Sequence, residues 1–174
     1  MPYALRPVQP EDTPFLFRVY ASTRADELAA VGWDTSQQDA FLRMQFKLQT
    51  EGYRQQFPDA RYEIVLHDGY LAGRIIVARN NNEIRLIDLA LLPEHRGLGI
   101  GSALIASLQA EAVQFDKPLR LHVEVFNRAR RLYERLGFIP IEMGAVYLEL
   151  EWRPGSPLAA NDRSQIVNLG GEPC

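Results

Sequence analysis

The stretch LALLPEHRGLGIGSALI, Leu89 to Ile105, has residue types and spacing suited to holding an anion. A β-rich run passes through Pro93 into Arg96, Gly97, Leu98, Gly99, Ile100 and Gly101 and then into a helical pattern, so main-chain N–H groups converge at a helix start. Three alternating glycines remove the Cβ atoms that would keep a pyrophosphate from the backbone, and the helix dipole adds about 0.3 to 1 kcal/mol for negative charge. Position 102 is Ser, so the third glycine of a dinucleotide fingerprint is missing, and no Gly-Lys-Ser or Gly-Lys-Thr makes a P-loop. Taken alone, the stretch also reads as a tight glycine turn without chemistry. Further along, Asn127 is followed by Arg128, Arg130 and Arg131, a basic cluster that suits either a phosphate or a solvated helix face. His67, His95 and His122 lie far apart and show no metal-ligand spacing, so no metal site is expected. Cys174 is the only cysteine, which excludes an internal disulfide, a cysteine zinc cluster and a thiol pair.

These residues need a scaffold, and the hydrophobic pattern outlines one. Tyr3 to Val8 alternates as a strand, and Pro10, Glu11 and Asp12 start a helix carrying Phe15, Leu16, Val19 and Tyr20. Ser36 caps a second helix reaching Tyr53, with Phe41, Met44 and Leu48 on its apolar face. Tyr62 to Leu66 and Leu71 to Ala78 form a hairpin closed around Asp68-Gly69. A strand over Ile84 to Leu92 leads through the glycine loop to a helix from Gly101 to Phe115, with Leu104, Ile105 and Leu108 inward. Leu119 to Phe126 is a strand, Asn127 opens a helix ending at Gly137, and Phe138 to Met143 and Val146 to Trp152 are the last strands. The order β α α β β β α β α β β predicts an α/β (α+β) fold, a mixed sheet with helices on both faces.

At this point the chain resembles the GCN5-related N-acetyltransferases. Their acyl-CoA signature, Gln or Arg, x, x, Gly, x, Gly or Ala, is matched by Arg96, Gly97, Leu98, Gly99, Ile100 and Gly101. A second block, LHVEVFNRARRLYERLGF, is similar to the same family's next one through Asn127, Ala129, Leu132, Tyr133, Gly137 and Phe138. The resemblance covers residues 3 to 152. It implies a mostly antiparallel sheet of six to seven strands with a V-shaped splay between the fourth and fifth.

The resemblance further implies acetyl-CoA as co-substrate and direct N-acetyl transfer to a primary amine of a small molecule or peptide. The pantetheine arm would pair with main-chain groups near Leu89 and Leu91, and the pyrophosphate would sit on the N–H groups of Arg96 through Ser102. Asn127 would help bind the cofactor, and Arg130 would meet its 3′-phosphate or adenine. Tyr133 looks like the family's general acid, protonating the departing thiolate, with a cofactor-bonded core aromatic as the plainer alternative. Glu124 and Asp88 are the candidate general bases, and each is open to a structural ion-pair role instead. The acceptor pocket would draw on Arg24, Glu27 and Trp33, with Phe46, Tyr53 and Gln56 of the second helix. A homodimer through the C-terminal strands is the assembly that many relatives suggest.

Composition fits these expectations. The 174 residues carry 19 Lys plus Arg against 22 Asp plus Glu, a formal net charge of −3, and 47% are hydrophobic, the profile of one soluble globular domain. Such a balance gives no general attraction to nucleic acid. No apolar run approaches a membrane span, no signal peptide is evident, and cysteine usage suits the cytoplasm. Residues 1–153 are read as a single domain and 154–174, rich in Pro, Gly, Ser and Asn, as a loose tail, with docking through Ile166, Val167 and Leu169 as the alternative. The rival class is an acyl-CoA-binding or sensing module with weak turnover, favoured by the lack of an unambiguous base.

Overall fold

A computed structural model describes residues 3–156. Strand β1 (Tyr3–Pro7) is followed by helices α1 (Thr13–Ala29) and α2 (Thr35–Gln56), then strands β2 (Arg61–His67), β3 (Tyr70–Arg79) and β4 (Ile84–Leu91). Helix α3 (Ile100–Phe115), strand β5 (Leu119–Glu124), helix α4 (Ala129–Arg135) and strands β6 (Ile139–Met143) and β7 (Tyr147–Trp152) complete the order. Two 3-10 turns, Pro10–Asp12 and Pro93–His95, precede α1 and the glycine loop. The strands form one seven-stranded sheet ordered β1-β2-β3-β4-β5-β7-β6. Pairings β1–β2, β2–β3, β5–β7 and β6–β7 are antiparallel and β4–β5 is parallel, so the expected mixed, mostly antiparallel sheet is present. The parallel register runs from Ile84↔Leu119 to Leu86↔Leu121, whereas β4 continues to Leu91 and β5 to Glu124. The single domain read from the sequence subdivides into two compact units, Met1–Ala78 with Ile87–Gly101, and Arg79–Leu86 with the chain from Ser102 onward. The divide falls before the last residue of β3, inside β4 and in the first turn of α3. The proposed tail and its docking residues Ile166, Val167 and Leu169 lie, apart from Pro154, Gly155 and Ser156, outside the described residues.

In the first unit, His67↔Tyr70 closes the β2–β3 hairpin with Asp68 at φ 51° and Gly69 at φ 83°, the two left-handed positions that Asp-Gly favours. Buried Tyr20, Leu28 and Leu42 form one cluster with Phe17, Ala21, Phe41 and Phe46 packed on it, joining α1 to α2. The cap of α2 is Asp34, not Ser36: its carboxylate accepts the Gln37 N–H at 2.8 Å while Gln37 Oε1 accepts the Asp34 N–H. Its inward face also differs from expectation, because Met44 and Leu48 are exposed while Leu42 is buried. The α1 aromatics are on hand to cover Leu42 and Phe46, and Gln49 finds a partner in Arg74. Buried Asp12 takes both guanidinium nitrogens of Arg6 at 2.8 Å and the Gln9 N–H at 2.7 Å, fastening β1 to the start of α1.

The second unit buries Leu104, Ile105, Leu108 and Ala112 of α3, as the periodicity predicts, together with Leu119, Leu121, Val123, Leu148, Leu150 and Trp152 of β5 and β7. Strand β5 ends at Glu124, two residues before the predicted end, and Phe126 is almost fully exposed. The other face of β4, β5 and β7 carries charge. Arg85 and Arg120 lie directly opposite each other, a repulsive placement that Glu83, Glu149 and Glu151 offset. Edge strand β6 is exposed along its whole length, with Ile139, Ile141 and Met143 open.

Candidate functional site

The loop between β4 and α3 takes its shape from two glycines in the left-handed region, Gly97 at φ 70° and Gly99 at φ 81°, where a side chain would be strained. At Gly97 a Cβ would meet nothing within 4 Å, so conformation and not space requires the glycine. Leu98 between them is exposed, and Ile100, buried, anchors the first residue of α3. The first N–H groups of α3, at Ile100, Gly101 and Ser102, have no carbonyl one turn earlier within the helix. Arg96 departs from its expected part in the cradle. Its N–H donates to Pro93 O at 3.2 Å, and its guanidinium turns back to Leu91 O at 2.8 Å and Ser22 Oγ at 3.2 Å. The Arg96 N–H is therefore engaged within the loop.

The β4 edge leading into that loop has a defined direction. Leu92 N–H donates to Ala72 O on β3 at 2.8 Å, and the Ala90 carbonyl is packed so closely over Gly73 that any Cβ there would collide. Alternation along the strand then turns the main-chain groups of Leu89 and Leu91 toward the opposite edge. Ile84 N–H at the start of the strand donates to Pro118 O beside β5. Asp88 does not stand alone. Its Oδ2 accepts from Arg74 Nε, and Arg74, itself buried, also donates to Gln49 Oε1 at 2.7 Å. Tyr62 on the neighbouring strand has a buried hydroxyl without a hydrogen-bond partner, and burial pushes its pKa up against the nearby Arg54 and Arg74 charges.

In the second unit, Tyr133 of α4 is buried, its ring 5.7 Å from Phe138 in an edge arrangement. Asn127 accepts the Ala129 N–H on its Oδ1 at 2.9 Å and donates its own N–H to Glu124 O, a turn that leads into α4, where Arg128 and not Asn127 is the N-cap. Arg130 is held by Glu134 at 2.7 Å one turn on, an engagement the expected phosphate contact would have to share. A concavity of about 470 Å³ is lined by Val125, Phe126, Asn127, Arg128, Arg130, Arg131 and Glu134. Glu124 is the last residue of β5, next in the chain to Val125 of that lining.

Among the residues expected around an acceptor, Arg24 and Glu27 pair with each other at 3.3 Å, and Arg24 lies over the Tyr20 ring. Trp33 packs edge-on against Phe41 and Phe46 against Phe17, so both stabilise the α1–α2 layer. Gln56 is exposed at the end of α2. Sequence spacing missed two associations, Arg74 with Asp88 and His67 with His95, because each joins different elements. No group of three or more His, Cys, Asp or Glu suited to a metal occurs among the described residues.

Residues 19–138 match the model of the acetyltransferase (GNAT) family. The chain belongs to that family. The match takes in the Arg96–Gly101 loop, Asn127 and Tyr133. A provisionally named ribosomal-protein-bS18 alanine N-acetyltransferase of Bacillus subtilis (strain 168) is 32% identical over 85 residues, 48% of this GNAT chain. There the chain spans 56% of the relative's length, little more than half. The GNAT fold is shared with the PaiA N-acetyltransferase of Thermoplasma acidophilum, solved in complex with coenzyme A. That likeness has 22% identity and a TM-score of 0.65, over 88% of this chain and 100% of that one. It is shared also with an acetyltransferase from Thermus thermophilus, at 21% identity and a TM-score of 0.64, over 88% and 98% of the two chains. No helix among the described residues is long and apolar enough to cross a membrane.

Proposed function

We propose that this GNAT chain is a cytoplasmic, acetyl-CoA-dependent N-acetyltransferase that moves the acetyl group directly onto a primary amine of a small molecule or peptide. The observation that carries the reading is the β4–α3 turn, where glycines at positive φ leave main-chain N–H groups at a helix start clear of side chains. That turn fits the pyrophosphate of coenzyme A, and bound acetyl-CoA supplies the activated thioester. The main chain of Gly97 through Ser102 holds the pyrophosphate, and the Leu89 and Leu91 groups on the β4 edge pair with the pantetheine arm. Asn127 and Arg130 bind the remainder of the cofactor. Tyr133 delivers its phenolic proton to the departing thiolate sulfur. Glu124 and Asp88 are the two candidate bases for the amine proton, and Asp88 would act from within its pair with Arg74. Alignment of the two substrates supplies most of the acceleration, roughly 7 to 11 kcal/mol in favourable cases. The Bacillus relative's name favours a peptide amine over a small molecule.

The test is thermal unfolding with coenzyme A, acetyl-CoA, NADH and ATP, followed by thiol release with a panel of amines and alanine-starting peptides. A ligand at about 100 times its dissociation constant adds roughly 2.7 kcal/mol, so the two CoA species should raise the midpoint and the others should not. Tyr133→Phe should lower turnover and leave CoA affinity near wild type. A CoA shift without amine-dependent thiol release would make the chain a sensing module. No CoA shift would remove the cofactor assignment.

A further inference from the structure

His67 closes the β2–β3 hairpin and His95 ends the 3-10 turn before the glycine loop, 28 residues away, yet their Nδ1 atoms face each other at 3.2 Å. The rings meet edge to face, centroids 5.4 Å apart and planes at 87°. We propose that the two histidines form a site for a divalent transition-metal ion of the zinc class, independent of the acetyl-transfer reading. Zinc–imidazole bonds of about 2.0 to 2.1 Å at a tetrahedral angle put two ligand nitrogens roughly 3.3 to 3.4 Å apart, close to the separation observed.

The tautomer supports this use. Asp68 Oδ2 lies 3.5 Å from His67 Nε2, a contact that favours the ring proton on Nε2 and so frees Nδ1 on the His95 side for a ligand. A carboxylate behind a ligating imidazole is the usual second partner of a metal-bound histidine. Both ligands sit on fixed backbone, since His67 pairs with Tyr70 across the turn and the His95 N–H is tied to Leu92 O at 2.9 Å. His67 is largely buried and His95 half-buried, which removes part of the competing hydration and leaves room for water on the open side. Of the charged residues flanking His95 in the chain, Glu94 pairs with Arg18 and Arg96 is turned to Leu91 O and Ser22. Since no third donor of the metal-binding types joins among the described residues, water completes the coordination. Two imidazoles and water select zinc, nickel or copper over magnesium or calcium. A bound ion would tie the hairpin turn to the 3-10 turn that leads into the glycine loop.

The experiment is calorimetric titration of the untagged full chain with Zn2+, with Mg2+ as control and in parallel on Cys174→Ser, which removes the only thiol. The expected result is one Zn2+ per chain, weakened roughly tenfold or more by His67→Asn and by His95→Asn. Binding should be retained in Cys174→Ser and in His122→Asn. The metal-free unfolding midpoint of each variant reports whether it folds, and half-buried His95 decides the matter if His67→Asn does not fold. Absence of Zn2+ binding, equal binding by His95→Asn, loss in Cys174→Ser or His122→Asn instead, or equal binding of Mg2+ would each overturn the site.

Discussion

The two units carry buried charge in different ways. In the first, Arg6 with Asp12 and Arg74 with Asp88 are separate pairs, each guanidinium facing one carboxylate. In the second, Arg85 bridges Glu83 and Glu149, Arg120 bridges Glu83 and Glu151, and Arg153 adds to Glu151, so most members have two partners. Removing half of an isolated buried pair strands the other half. Removing a member of a ladder leaves its neighbours partly satisfied, so the cost per substitution should fall.

The sharpest way to break this contrast is Arg74→Met, which leaves Asp88 and Gln49 without their shared partner. A loss of about 3 to 5 kcal/mol is expected in denaturant unfolding. Glu151→Gln in the ladder should cost less, about 1.5 to 3 kcal/mol, because Arg120 keeps Glu83. Equal losses for the two would end the distinction. Acid gives a third comparison. The hydrogen bond from Arg6 lowers Asp12 from 3.8 to about 2 against an opposing effect of burial, with the Gln9 N–H and the Arg6 charge adding to the lowering. A carboxyl lowered on folding stabilises fully above its unfolded value, and that stability, on the order of 2 kcal/mol, disappears as pH falls from about 4 to about 2. Burial raises Glu149 and Glu151, but their arginine partners outweigh it and leave both below the ordinary range, so they lose stability in the same direction. Unfolding midpoints from about pH 5 downward should drop for wild type and drop less for Asp12→Asn. The smallest effect belongs to Arg153→Ala, which removes a mostly exposed arm while Glu151 keeps Arg120. A change within about 0.5 kcal/mol is expected.

How legible each part was in the sequence follows from the range of the interactions that build it. The β2–β3 turn, the α3 face and the glycine loop are short-range objects, and Asp68-Gly69, Leu104 with Ile105, and Gly97 with Gly99 all take the expected places. The expected inner face of α2 was Phe41, Met44 and Leu48, whereas the stripe that packs inward runs through Leu42 and Phe46. Periodicity cannot choose between stripes when the winning one includes Gln49, whose partner lies 25 residues away on β3. The engagements of Arg96 with Leu91 O and of Arg130 with Glu134 were likewise missed, because an arginine reads the same in sequence whether its guanidinium is free or committed.

The sequence by itself determined the order of elements, the glycine turn before α3 and the membership of the GNAT family, because local backbone preferences and period are written in consecutive residues. Only the tertiary structure decided that Asp88 is bound to Arg74, that three glutamates separate facing arginines on β4 and β5, and that His67 meets His95. Such pairings depend on strand register and on which elements pack together, and the chain fixes those only when distant hydrophobic faces close on one another and bring their polar residues along.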